Sequence, residues 1–361
     1  MSRASRLLFS VHSWLGLIAG IFILSFFLTG SVIVFNKELN RWQHPELHTV
    51  TDTGARLPFD SLYRSALRRA PQLYLYTFRK VPKAPGETVE MRVYDPAKKE
   101  YGLLYLNPYS GAVLGTTWNN SLYDLLLTMH FTFFLGKVGE LMAGVFALAL
   151  LGSVITGLIV YRRHLVKVLT FRMKMQWRNW RMISSNLHRV IGVWSLLFNL
   201  VLAGSGFYMM LYAFDLKAQF GSNASTAIEP PPTVSVNVDT LIREATGLLR
   251  EGRFHYLDFP RRAGEPLTVY TDGGFWLWGD LTNKVEFNSG SGVAGRVFRQ
   301  GDMSAGEKAG YALYTLHYGQ YGGTGIKLLY SFFALSGSVL AITGFVLWYR
   351  KRRGRRKKPA R

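Results

Sequence analysis

Four long apolar stretches, separated by polar segments, set the pattern of this chain. They cover Leu15–Phe35, Leu141–Tyr161, Val190–Tyr212 and Leu328–Tyr349, and each runs for at least 20 residues without a formal charge. A helix of that length crosses a hydrocarbon core of about 30 Å. The pattern therefore predicts four transmembrane helices. The first is expected to remain as an anchor, because its apolar run is too long for a signal peptide and no cleavage-site pattern follows it.

The second half of the chain repeats the first. The stretch that begins SVHSWLGLIAG aligns with the one that begins NLHRVIGVWSL, which places His12 against His188, 176 positions later. The stretches that begin MHFTFF and LHYGQY place His130 against His317, 187 positions later. Apolar segments that recur with a histidine at the same place indicate a duplicated membrane protein.

Pairs of small residues recur near the ends of the same apolar stretches. They are Thr29-Gly30, Thr156-Gly157, Ser205-Gly206 and Thr343-Gly344. Small residues let membrane helices approach each other closely. The pattern predicts a packing role for these pairs and no part in an active site.

Positive charge is concentrated at three places. The net charge is +21, and 18 of the 43 Lys and Arg residues lie in three groups that contain no acidic residue: Arg3 and Arg6, seven between Arg162 and Arg181, and nine from Arg350 onward. An excess of Lys and Arg beside membrane helices marks the cytoplasmic side. The N-terminus, the loop between the second and third helices and the C-terminus are therefore expected in the cytoplasm, and nucleic-acid binding is not expected.

Cysteine is absent, which excludes disulfides, thiolate metal sites, iron–sulfur clusters and covalently attached c-type haem. Any redox metal must be held by histidine or oxygen ligands. The chain also has no dinucleotide fingerprint or phosphate loop, and its cytoplasmic loop is too short for a flavin domain. Electrons for a redox reaction would have to come from a partner protein or from quinol.

Two polar segments between the helices have the pattern of small extracytoplasmic α/β units. In the first, Phe59–Arg69 has helical spacing, and Val89–Val93 and Leu103–Leu106 have the pattern of strands that precede a turn at Asn107. The second repeats this order with a helix near Val238–Leu249. Its equivalent turn, Asn288-Ser289-Gly290-Ser291-Gly292, departs from Asn107-Pro108-Tyr109-Ser110-Gly111, so what the second unit binds is left open.

The fold predicted is an α-helical four-helix transmembrane bundle, built by internal duplication, with two small extracytoplasmic α/β domains. Its parts are helix 1 (1–36), a first domain (37–125), an interfacial helix and helix 2 (126–162), a basic cytoplasmic loop (163–187), helix 3 (188–213), a second domain (214–310), an interfacial helix and helix 4 (311–349) and a basic tail (350–361).

Two motifs resemble a known family. YLNPYSGAVLG (Tyr105–Gly115) is similar to the strand and turn of PepSY domains, and H-x-W-x-G at His12, Trp14 and Gly16 resembles the start of PepSY-associated transmembrane proteins. The resemblance covers nearly the whole chain. It implies a multi-pass protein of the bacterial inner membrane, in a family that includes iron-regulated proteins and a ferric-siderophore reductase with two b-type haems on histidines of a four-helix core.

Four of the eight histidines recur in both halves. Both halves enter the membrane from the same side, so a pseudo-two-fold axis along the membrane normal should set equivalent residues opposite each other. His12 is then expected to face His188, and His130 to face His317. Pairing His12 with His130 fails, because they lie at opposite membrane faces about 30 Å apart.

Two imidazoles that face each other in a helical bundle, with no thiolate nearby, are the ligand set of a six-coordinate b-type haem. We therefore predict two b-type haems, with His12 and His188 as the axial ligands of one haem iron and His130 and His317 as those of the other. Gly16 and Gly192, one turn after two of these histidines, would leave room for a macrocycle. The alternative is that the histidines are interfacial anchors. His44 and His48 flank Pro45 and could bind a metal, but such a pair is usually at the surface.

The function predicted is a haem-dependent reductase that passes electrons across the inner membrane to a periplasmic ferric siderophore, the substrate that the resemblance implies. Hard oxygen chelators hold ferric iron much more tightly than Fe(II), so reduction favours release. Two alternatives remain: a permease for iron chelates in which the same histidines bind substrate, and a non-catalytic PepSY module that binds an envelope partner.

Overall fold

The computed structural model describes residues 3–118, 121–220, 228–250, 252–279 and 281–356. The helices are α1 (Arg3–Ile18), α2 (Gly20–Ile33), α3 (Asn36–Gln43), α4 (Phe59–Arg69), α5 (Leu122–Thr132), α6 (Gly136–Tyr161), α7 (Leu165–Leu169), α8 (Trp180–Trp194), α9 (Leu196–Phe220), α10 (Val238–Leu249), α11 (Ala305–Tyr318) and α12 (Gly323–Arg356). The strands are β1 (Tyr74–Lys80), β2 (Val89–Asp95), β3 (Glu100–Leu106), β4 (Val113–Trp118), β5 (Phe254–Asp258), β6 (Leu267–Thr271), β7 (Asn283–Phe287) and β8 (Ala294–Phe298).

The chain divides into two compact units. The helical unit comprises Met1–Asn36, Leu125–Ser222 and Leu313–Arg361, and the sheet unit comprises Lys37–Asp124 and Asn223–Ala312. Each unit draws on both halves of the duplicated sequence. All four repeated histidines lie in the helical unit.

Two helical stretches of the helical unit are long and apolar enough to cross a membrane. One is Gly136–Leu169, which consists of α6 and its continuation through α7, and the other is Gly323–Arg353 within α12. Two further candidate spans are bent pairs of helices: α1 and α2 meet at 62°, and α8 and α9 at 69°. The described residues therefore contain two to four candidate spans. The predicted first and third helices, Leu15–Phe35 and Val190–Tyr212, are therefore corrected to bent pairs of helices, each of which counts as one candidate span.

The two bends have identifiable local causes. The first lies at Ala19, beside Gly20, and the second lies at Ser195, the equivalent position in the repeat. Glycine is a poor helix former. The Ser195 hydroxyl donates to the Ile191 carbonyl at 2.7 Å, and this kind of bond from a side chain to the preceding turn often bends helices. Hydropathy alone carries no information about either effect.

The long helices α6 and α12, which follow the helices that carry His130 and His317, each pack on helices from both halves of the chain. α6 contacts α1 of its own half and α9 of the other, and α12 contacts α8 of its own half and α2 of the other. α5 and α11 are short helices that end before α6 and α12 begin. Backbone turns with positive φ, such as Phe134 (61°) and Gly319 (60°), separate them. His130 and His317 therefore lie on separate short helices, as the sequence predicts.

The two predicted α/β segments share one antiparallel sheet, in the order β4-β3-β2-β1-β5-β6-β7-β8. β1 and β5 join the halves, with Thr77 opposite Asp258 and Phe78 opposite Leu257. The helices predicted at Phe59–Arg69 and Val238–Leu249 are α4 and α10. They cover one face of the sheet, where fully buried Phe78, Met91, Leu257 and Phe287 belong to a single core.

The turn that departs from the family pattern in the second half keeps its backbone structure. The Asn107 side-chain oxygen accepts from the amides of Tyr109 (2.9 Å) and Ser110 (3.2 Å). The Asn288 oxygen accepts from Gly290 (3.0 Å) and Ser291 (2.9 Å) in the same way. The asparagine sets the turn, so loss of the Pro-Tyr pair changes the side chains displayed there and leaves the fold intact.

Helices α4 and α10 cap each other. Asp239 in the first turn of α10 accepts from the Phe59 and Asp60 amides of α4, both at 2.9 Å. Asp60 accepts in turn from the Val238 amide of α10 at 3.2 Å. Backbone amides at a helix start have no partner within the helix, and a carboxylate also suits the positive end of the helix dipole. The exchange therefore stabilises both helices and joins the halves of the sheet unit.

Asp239→Ala is expected to lower the stability of the sheet unit by about 1–2 kcal/mol, because two helix-start amides lose their acceptor. Thermal unfolding of the full chain in detergent, followed by circular dichroism, should show a transition several degrees lower. Glu244→Ala on the exposed side of α10 is the matched control and should unfold like the wild type. Equal transitions for the two variants would contradict the capping role.

Candidate functional site

The first histidine pair joins the two halves of the helical unit. His12 lies on α1 and His188 on the equivalent helix α8, and their ring centroids are 6.1 Å apart with an interplanar angle of 76°. Nδ1 of His12 contacts the Ser153 carbonyl at 2.9 Å, and Nδ1 of His188 contacts the Thr343 hydroxyl at 3.0 Å. Each imidazole is thus held by the long helix of its own half and faces the imidazole of the other.

The second pair has the same arrangement. His130 on α5 and His317 on α11 have ring centroids 6.4 Å apart and an interplanar angle of 60°. Nδ1 of His130 contacts the Thr29 hydroxyl at 2.8 Å, and Nδ1 of His317 contacts the Ser205 hydroxyl at 3.0 Å. The structure therefore brings together the histidines that the repeat predicts to face each other.

The hydroxyl groups beside the histidines fix the tautomer of each ring. All four hydroxyls donate their proton to the carbonyl of the preceding helical turn: Thr29 to Ser25 (2.7 Å), Thr156 to Gly152 (2.6 Å), Ser205 to Val201 (2.6 Å) and Thr343 to Val339 (2.7 Å). A hydroxyl that already donates its single proton to a carbonyl can only accept a hydrogen bond from the imidazole. For His12 the closest acceptor is a carbonyl, which leads to the same result. Nδ1 therefore carries the proton, and Nε2 carries the lone pair.

A glycine next to each of these hydroxyls makes room for the ring. A Cβ atom at Gly30, Gly157, Gly206 or Gly344 would come within 3.1–3.4 Å of the Cε1 atom of the histidine it faces. We call the hydroxyl and the glycine after it a seat for one imidazole, and the chain has four such seats. In the seat of His12 the Thr156 hydroxyl lies 3.5 Å from Nδ1, farther than the Ser153 carbonyl at 2.9 Å. The prediction that these pairs serve packing alone is therefore wrong. Their partners lie more than 100 positions away along the chain, which sequence spacing could not reveal.

Gly16 and Gly192 have a different environment. A Cβ atom at Gly16 would lie 4.0 Å from the Ser153 hydroxyl, and one at Gly192 would lie 3.7 Å from Leu340. Both distances are ordinary van der Waals contacts with the helix that seats the neighbouring histidine. The space that they were predicted to leave for a macrocycle remains a prediction.

Each pair brings together two imidazoles whose Nδ1 atoms are already bonded to the protein, so the Nε2 atoms of both rings are left to bind a Lewis acid placed between them. An imidazole nitrogen binds a metal at about 2.0–2.1 Å, which separates two ring centroids on opposite sides of the metal by about 6 Å, as in both pairs. Metal-bound histidines commonly donate their other N–H to an oxygen acceptor. No group of three or more His, Cys, Asp or Glu residues in the described ranges could hold a metal ion. A metal here would therefore need further ligands, which a porphyrin supplies.

A tyrosine outside the predicted site holds the end of α11. The Tyr330 hydroxyl donates to the Leu316 carbonyl, next to His317, and lies 3.0 Å from the Tyr321 hydroxyl. Its ring packs under Gly319, where a Cβ would approach to 2.8 Å. The equivalent position in the first half is Ala143. Because the first half has no tyrosine at the equivalent position, aligning the two halves could not reveal the role of Tyr330 beside His317.

Of the remaining histidines, His48 is the most buried. It lies in the sheet unit, with 4% of its surface exposed, and its Nε2 atom contacts the Asn40 side-chain oxygen at 2.6 Å. His44 is partly exposed near Glu46 (3.8 Å), and His164 stacks on Tyr161. His44 and His48 thus have different nearest partners, Glu46 and Asn40, and belong to no group of three or more potential metal ligands in the described ranges.

Comparison with known proteins gives one family match. The family model described as the PepSY-associated TM region matches residues 9–351 of this chain. No curated protein sequence gives a significant match. The matched range includes both histidine pairs and both halves of the sheet unit.

If the pairs hold haem, as the sequence predicts, Thr343→Val is expected to weaken haem binding at the His188 pair, because Nδ1 of His188 loses the acceptor that fixes its tautomer. Loss of such a partner typically lowers metal affinity about 10–100-fold. Haem titration of the protein purified without haem, followed by absorbance, measures the change. Thr170→Val, which removes a hydroxyl bonded only to its own helix turn, is the control. Unchanged affinity in the Thr343 variant would contradict the positioning role.

His48 is expected to make stability pH-dependent. Burial, then the positive charges of Lys80 and Arg41, lowers the pKa of His48 from 6.5 to about 4. Between these values the unfolded chain binds a proton that the folded chain does not, so stability is full above pH 6.5 and falls as the pH drops towards 4. The loss is of the order of 2–3 kcal/mol. His48→Gln should unfold at a temperature that varies less over this range, whereas His44→Gln should behave like the wild type.

Proposed function

The chain belongs to the PepSY-associated transmembrane family, and from that premise we propose that it is a di-haem b electron-transfer protein of the bacterial inner membrane. In this proposal it reduces a periplasmic ferric siderophore and releases Fe(II). The single observation that carries the proposal is the duplicated pair of neutral imidazoles, with centroids 6.1 and 6.4 Å apart and all four Nδ1 atoms bonded to the protein.

The residues have defined roles in this proposal. His12 and His188 would hold one haem iron through their Nε2 atoms, and His130 and His317 would hold the other. Haem, when bound, supplies a one-electron couple of iron. The oxygen acceptors hold each ring in one orientation through its Nδ1–H, and burial disfavours the charged form of the ring. The polypeptide thus contributes position and the surroundings that set the potential.

The direction of electron flow rests on the charge pattern. Arg3 and Arg6 precede His12, and the basic residues up to Arg181 precede His188, so the positive-inside rule places this pair towards the cytoplasm. His130 and His317 come directly after the segments expected in the periplasm. The donor is proposed to be quinol or a cytoplasmic partner, and the acceptor a ferric chelate. Ferric iron binds hard oxygen chelators far more strongly than Fe(II), so one electron suffices for release.

We predict that the two pairs hold separate haems. His130→Ala or His317→Ala should retain one haem, still reducible from the cytoplasmic side, and should lose reduction of an external ferric chelate. His12→Ala or His188→Ala should retain the other haem, reducible by external dithionite but not by cytoplasmic electrons. Haem content and reduction by each route, measured in membrane vesicles, distinguish the two classes.

His44→Ala is the matched control, because His44 belongs to neither histidine pair. Each variant must first be shown to insert, because haem binding stabilises the folded chain by linkage. Loss of the same haem from His12→Ala and His130→Ala would contradict the pairing. Uptake of the intact chelate without any change in oxidation state would favour the permease.

A further inference from the structure

The segment 162–181, which we name the basic shelf, carries seven Lys and Arg residues and no acidic residue. All seven are exposed: Arg162, Arg163, Lys167, Arg172, Lys174, Arg178 and Arg181. Within the described ranges no carboxylate lies within ion-pair distance of any of them. The charge of the shelf is therefore not balanced by the side chains of the helical unit that the structure describes.

The shelf has a defined backbone structure. Phe171 adopts a left-handed conformation (φ 56°), and the Arg172 amide bonds back to the Lys167 carbonyl at 2.8 Å. The Asn186 side chain donates to the Gln176 carbonyl at 2.8 Å. The Asn179 side chain caps the start of α8. These bonds hold the backbone of the shelf in a defined conformation between Lys167 and Asn179, so its basic side chains project from an ordered surface.

Large aromatic side chains are exposed between the charges. Phe171 is 81% exposed, Trp177 60% and Trp180 69%. Exposed tryptophans between basic residues are typical of the membrane interface, where the ring lies at the level of the headgroups. A soluble acidic partner would neutralise the charges but would leave these rings without an apolar environment.

Cations lie over aromatic rings at the equivalent ends of the long helices. Arg189 lies 5.9 Å from the Tyr161 ring centre, and Arg352 lies 5.5 Å from that of Trp348, the equivalent of Tyr161 in the repeat. Lys351 lies over Phe9 at 4.8 Å. Basic side chains over aromatic rings at these helix ends are expected where long basic side chains reach towards headgroups over an aromatic belt.

We propose that the basic shelf binds the phosphate headgroups of anionic phospholipids, in preference to zwitterionic lipids, in the leaflet that it faces. The occupant follows from charge complementarity and from the exposed aromatic rings. Clusters of four or more Lys and Arg beside a membrane helix attract anionic lipid, and the attraction weakens with salt. The proposal does not depend on haem.

The test is native mass spectrometry of the full chain, released from detergent with equal amounts of phosphatidylglycerol and phosphatidylcholine. The wild type should retain several-fold more phosphatidylglycerol. Arg172→Gln/Lys174→Gln/Arg178→Gln should lower this ratio at least threefold. The matched control removes three exposed arginines from the sheet unit, Arg68→Gln/Arg262→Gln/Arg296→Gln, and should keep the wild-type ratio.

A second variant, Trp177→Ser/Trp180→Ser, keeps the charges and should bind less of both lipids while keeping the preference for phosphatidylglycerol. Equal retention of the two lipids by the wild type would overturn the proposal. The same ratio in the wild type and the triple shelf variant would also overturn it. Tight binding of polyglutamate with no lipid preference would assign the shelf to an acidic protein partner instead.

Discussion

The hydrogen bond between each histidine Nδ1 and an oxygen on a neighbouring helix is the constraint on which the site depends. Without it, a neutral imidazole could carry its proton on either nitrogen and turn about its side-chain bonds. For three of the rings the hydroxyl proton goes to a carbonyl one turn earlier, so the hydroxyl oxygen can only accept; for His12 the acceptor is the Ser153 carbonyl. Each neutral ring is therefore fixed in one tautomer. The glycine that follows each hydroxyl lets the ring lie against the helix. Tautomer, orientation and available space are thus set by one short stretch of a neighbouring helix.

Duplication turns this local seat into a pair of sites. Each half provides two seats, and the packing of α6 against α9 and of α12 against α2 brings equivalent histidines from the two halves together. The sheet unit uses the same device: β1 and β5 pair in the middle of the sheet, and Asp60 and Asp239 cap each other's helices. In both units, equivalent residues meet where the two halves join.

The sequence alone was sufficient for the features that depend on spacing. The pairing of His12 with His188, predicted from their offset, is found in the structure. The bends at Ala19 and Ser195 do not disturb it, because they lie at equivalent positions after the two histidines. The helices Phe59–Arg69 and Val238–Leu249 have one apolar face each and were predicted with their correct ends. The bends themselves, the seats at Thr29 and Ser205 and the joining of β1 to β5 were not predicted, since they depend on contacts between residues far apart in the chain. Tyr330 was missed for a further reason: its support of His317 has no counterpart at Ala143.

We propose that each facing pair of imidazoles holds one haem iron through Nε2. The most direct measurement is the absorption spectrum of the full chain, expressed with ample haem and purified, together with its haem content per chain. The account predicts two non-covalent b-type haems per chain, both low-spin with two histidine ligands. A colourless protein, or one that binds haem equally well after both His12 and His130 are replaced, would contradict it.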